Sequence, residues 1–147
     1  MAQATTIRYG QQQLLVSDNA ATPVFTAPCG ITSLTRQVQA NTSDVDIPDC
    51  DDPDAFIWLG VDVNSKRMSL QFSGLLAEEA IELWDDWAME ESVRACRWYR
   101  NIGAPNAGHW AAPGVLTSYE ENSQNRGRWQ ITGTIIFDGQ PIWTAVP

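Results

Sequence analysis

Hydrophobic period changes from strand to helical spacing at one place along this chain, residue 75, and the change marks a single helix within a β-rich sequence. Before it, Met68, Leu70 and Phe72 alternate with Arg67, Ser69, Gln71 and Ser73 through Ser65–Gly74, the period-two pattern of a strand with one buried face. After it, Leu76, Ala80, Leu83, Trp84 and Trp87 form one stripe at helical spacing, so a helix is expected over about residues 76–90 and at most 75–91. Arg128–Asp138 then returns to period two, with Trp129, Ile131, Gly133, Ile135 and Phe137 on one side and Gln130, Thr132, Thr134 and Ile136 on the other. Asp138-Gly139 predicts a hairpin turn back through Ile142–Thr144.

The remaining strands are expected over Gln11–Val16, in short pieces around Val24–Ala27 and Ile31–Val38, over Ser92–Asn101, and over His109–Glu121 with a break at Pro113-Gly114. Residues 39–54 are rich in Asn, Thr, Ser and Asp and hold Pro48 and Pro53, which predicts a long acidic loop, extending over about 40–62, that meets a partner. At 147 residues and 44% hydrophobic content, the chain suits one domain spanning 1–147. The expected fold is mainly β, a sandwich or partly closed β-barrel of two packed sheets with one flanking helix.

Charge and composition exclude several classes of function. The formal charge is −9, and residues 44–91 hold fourteen acids against only Lys66 and Arg67, so tight binding to a phosphate backbone is not expected. No apolar run approaches the roughly 20 residues of a membrane helix, and Met1–Thr6 has neither the basic nor the apolar region of a secretory signal. Cys29, Cys50 and Cys96 lack metal-ligand spacing and are expected to be reduced packing residues. The run from Asp44 to Asp54 departs from a calcium loop, since Pro48 stands where a ligand belongs and the Gly and closing Glu are missing.

Catalytic chemistry finds little support. The single histidine, His109, sits between Gly108 and Trp110 without a nucleophile motif nearby. Paired acids such as Glu78-Glu79 and Asp85-Asp86 point about 100° apart on a helix and do not converge on one atom. No glycine-rich phosphate or dinucleotide motif is present, so neither catalytic residue, metal nor cofactor is expected.

Seven tryptophans and eight arginines among nine basic residues point instead to subunit contacts, because Trp buries large area with a polar handle and Arg favours interfacial ion pairs. Trp84, Trp87 and Trp129 are read as core. Trp58, Trp98, Trp110 and Trp143, with Arg94, Arg97 and Arg100, are the expected contact residues.

The order of elements resembles the major tail tube protein of long-tailed, non-contractile bacteriophages and related gene transfer agents. The likeness is carried by the polar loop 41–54, the strand Lys66–Gly74, the acidic helix Leu76–Trp87 and the C-terminal strands. It implies a structural virion protein, assembled in the host cytoplasm, whose hexameric rings close an inner β-barrel and stack into a tube that conducts DNA without binding it. It further implies tape measure, terminator and distal tail proteins as partners. On this reading Asp44, Asp46, Asp49, Asp51, Asp52, Asp54 and Trp58 stack rings. Ser69, Gln71, Ser73, Glu120, Glu121, Gln130, Thr132 and Thr134 line the lumen or, alternatively, an outer solvent face. A terminator or baseplate hub ring, and an unrelated β-barrel module for a small ligand, remain the competing readings.

Overall fold

The computed structural model describes residues 3–18, 24–90 and 93–145. Eight strands run in chain order: β1 Gln12–Ser17, β2 Phe25–Thr26, β3 Ile31–Ile47, β4 Trp58–Leu75, β5 Arg94–Arg100, β6 Gly108–Asn122, β7 Gln130–Phe137 and β8 Ile142–Ala145. One helix, α1 Ile81–Met89, follows a 3-10 turn at Glu78–Ala80. The helix is shorter than its apolar stripe because the stripe's first residues enter through that turn, and Glu90 already has extended backbone. Glu91, the outer limit of the expected helix, lies outside the described residues.

The expected mainly β architecture with one flanking helix is present, but the strands form a single antiparallel sheet, β2-β1-β5-β6-β7-β4-β3, rather than two hydrogen-bonded ones. The sheet curls strongly. Arg36 on β3 lies 5.2 Å over the Trp110 ring on β6, although β4 and β7 intervene between those strands. A partly closed trough results, with edges at β2 and β3.

The apolar face of the trough and the helix enclose the core. Met68, Leu70 and Phe72 of β4 and Ile131, Ile135 and Phe137 of β7 are buried, as their alternation requires. Phe72 stacks on Trp84 at 4.7 Å, and Trp84 stacks in turn on Trp87 and on Tyr119 of β6. Trp129 departs from expectation: it precedes β7 and is 51% exposed.

Three further corrections have clear causes. Residues 39–47 and 58–62, expected as loop, belong to β3 and β4, which pair from Ile31↔Gly74 out to Ile47↔Trp58. Antiparallel pairing satisfies the backbone without burying side chains, so polar composition did not prevent a strand. β6 runs through Pro113 because the Pro113 carbonyl, and with it the missing N–H, faces the gap between the ends of β7 and β8, where the carbonyl accepts from the Asp138 amide at 2.7 Å. Asp138-Gly139 does not make a hairpin either. The four-residue excursion through Pro141 returns β8 to β6, collinear with β7, pairing Trp110 with Trp143.

Arg94 fastens the helix end to the sheet. Its guanidinium is buried, donates to Glu90 at 2.6 Å and to the Ser17 carbonyl at 3.2 Å, while Ser17 Oγ accepts from the Ala95 amide. Arg94 thus places a cation at the acidic C-terminal end of the helix.

Candidate functional site

Strand register assembles most of the expected polar residues on one face. Gln71 pairs with Thr134, Ser73 with Thr132, and Thr132 with Glu120, so Ser69, Gln71, Ser73, Glu120, Gln130, Thr132 and Thr134 all point away from the helix. Ser33, Thr35 and Ser118, which sequence reasoning missed, join them around a shallow concavity of 380 Å³ with no basic side chain in its lining. Glu121 is the exception. It alternates to the helix side, where it accepts from the Tyr119 hydroxyl at 2.8 Å; burial and that bond push the Tyr119 pKa upward. The bulge between Leu116 and Ser118 fixes this parity, and nothing in the local sequence announces it.

The outer halves of β3 and β4 form a two-stranded arm beyond the core. By register Asp44 and Asp46 share one face of it with Leu59, Val61 and Val63, whereas Val45, Ile47 and Trp58 share the other. Apolar residues are exposed on both faces, and Phe56 and Trp58 at the tip are 96% and 87% accessible. The period-two pattern of Leu59, Val61 and Val63 was the signal that could have revealed this ribbon. Asp49, Asp51, Asp52 and Asp54 occupy the tip, where Asp49 and Asp52 accept from the amides of Asp51 and Asp54. The carboxylates of Asp51 and Asp54 have no partner among the described residues. Among those residues, no three metal-ligating side chains converge.

Most of the expected contact residues on β5, β6 and β8 gather into an aromatic and cationic cluster. Arg36 lies over Trp98 and Trp110, Arg100 over Trp98 and Trp143, and the rings of Trp110 and Trp143 are 5.3 Å apart. Arg97 lies 4.0 Å over Phe25 and Arg94 in the internal pair described above. Trp98 is buried, whereas Trp143 is 36% exposed. The His109 ring lies tilted against Tyr99 at 4.7 Å, and burial with the Arg97 charge lowers its pKa. Cys96 is buried and its thiol is pushed up to about 12, but Cys29 and Cys50 are exposed, contrary to the expected packing role.

The described residues thus form an open curled sheet with an apolar arm and, on the side away from the helix, a polar face bearing one shallow concavity. Comparison with solved structures agrees on the fold. The tail of an empty gene transfer agent particle, refined with C6 symmetry, superposes with a TM-score of 0.75 at 13% identity over 95% of this chain and 100% of that one. The SPP1 tail tube gives 0.68 at 12% identity, covering 96% and 80%. The tube-terminating cap of the anti-feeding prophage gives 0.59 at 11% identity, covering 99% and 95%. No curated protein matches the sequence. The family model described as phage tail tube protein matches residues 10–142, nearly the whole curled sheet and its arm, and the chain therefore belongs to the phage tail tube protein family.

Proposed function

We propose that this chain is a major tail tube subunit, six copies of which close into a ring through their sheet edges and stack through their arms into a conduit for DNA. The observation that carries this reading is the arm: a ribbon exposing Phe56, Trp58, Leu59, Val61 and Val63 is unfavourable in a lone monomer and favourable when copies cover it. The long free edge of β3 supports the same conclusion, since an unpaired strand invites pairing with another chain. On this reading the hydroxyl-rich face away from the helix, with Glu120 as its acid, lines the lumen and repels phosphate. The role is structural rather than enzymatic, and tape measure, terminator and distal tail proteins are the expected partners at the ends.

Electron microscopy of the purified chain across a concentration series, with light scattering for mass, tests the proposal. Hollow tubes of stacked rings are expected. Single rings that never elongate would favour a terminator or hub role, for which the likeness to the tube-terminating cap speaks. A monomer at every concentration would overturn both.

A further inference from the structure

Next to the root of the arm lies a cavity of 490 Å³ whose lining includes Arg36, Lys66, Arg67, Met68, Trp110 and Gln140. No carboxylate lines it. Among the described residues Arg36 donates to Met68 Sδ alone, at 3.3 Å, a weak acceptor, and Trp110 Nε1 is buried without a hydrogen-bond partner. Burial and the neighbouring Arg100 charge both lower the Arg36 pKa, and no acid offsets them. The basin thus presents the Lys66 ammonium and an Arg36 guanidinium resting on the Trp98 and Trp110 rings, with no carboxylate in its lining.

The matching acceptors are at the other end of the same arm, where Asp51 and Asp54 are exposed and unpartnered among the described residues. They do not reach their own basin. Trp58 and Lys66 are eight residues apart on β4, which at roughly 3.3 Å per residue places the tip about 25 Å away along a paired ribbon.

We infer that the acidic arm tip, through Asp51 and Asp54, docks into the basin of another copy of this chain, where Arg36 and Lys66 share the Met68 side of the sheet and Arg67 alternates to the other side. The inference rests on the reading of the chain as a self-stacking subunit and assigns that stacking an electrostatic lock. Charge complementarity selects a second copy as the occupant. The tip carries four aspartates within six residues, and basic side chains next to an aromatic ring favour a carboxylate loop over an apolar one. Six or more such contacts around a ring would also set the register between successive layers, since rotation of one ring past the next brings tips out of line with basins.

Charge exchange in the full chain provides the test. The D51K/D54K and K66E variants are each expected to reduce pelletable assembly at least tenfold, and combining all three changes in one chain to restore most of it. All three positions are exposed, and circular dichroism of each variant verifies the fold. A second readout uses the native Cys50 in the tip: in a C29S/K66C chain, mild oxidation is expected to give covalent ladders between copies. Assembly by both charge variants at the level of the wild type, or a polymer of C29S/K66C in which Cys50 forms no cross-link to the thiol introduced in the basin, would overturn the docking while leaving the tube reading standing. A wild-type chain that never assembles would overturn the tube reading, and the docking with it.

Discussion

At the residue scale, Gly133, buried in the middle of β7, is tightly constrained by a side chain across the core. A Cβ there would run into the Phe72 ring, reaching Cζ more closely than any real contact and Cε1 at 2.8 Å, and Phe72 is itself held by its stack on Trp84. Gly133→Ala is expected to destabilise the fold by about 1–3 kcal/mol, read from urea unfolding of Trp fluorescence. Glu90→Ala is expected to cost about 2–3 kcal/mol, because it strands a buried guanidinium, and E90A/R94M to recover much of that loss in a double-mutant cycle. His109 introduces a pH term. Its folded pKa lies below the ordinary 6.5, so the unfolded chain takes up the proton first; stability is full above that value and falls as pH drops below it. The loss of denaturant midpoint between about pH 7.5 and about pH 5.5 should be smaller in His109→Gln than in the wild type.

At the element scale, the sequence announced the body and hid the arm. The alternation of Met68, Leu70 and Phe72, the stripe through Trp84 and Trp87, and the alternation of Ile131, Ile135 and Phe137 all record burial, and burial is what hydrophobic periodicity encodes. Residues 39–47 have no buried face, so their strand is held by backbone pairing with β4 and carries the composition of a loop. The body should consequently fold without the arm. Replacing residues 43–62 by an Asn-Gly turn that joins the pair Thr42↔Val63 is expected to change stability by no more than about 1 kcal/mol and to abolish assembly, measured by denaturation and by sedimentation.

At the scale of the whole molecule, pairing is dominated by long sequence separations: β1 meets β5 through Gln12↔Arg100, and β4 meets β7 through Leu70↔Ile135. Each requires closing a long loop before its contacts form, so refolding is expected in milliseconds to seconds rather than microseconds, as followed by stopped-flow Trp fluorescence. The same connectivity leaves β3 as an open edge and lets the sheet curl until β3 overlies β6.

Which residues of Ser69, Gln71, Ser73, Thr132 and Thr134 share a face followed from the sequence alone, because side chains alternate strictly along each strand. That Glu120 joins them and Glu121 does not was decided by the β6 bulge and its register with β7. The aromatic and cationic residues were easy to single out, but their placement was not: Arg94 and Trp98 serve the interior, while Arg36 joins Trp110 across the curl to make a basin that no local pattern contains. Local sequence determines which side chains one element presents on each face. Only the closure of distant strands decides which faces meet, since that depends on pairing energies summed over the whole sheet rather than on any single segment.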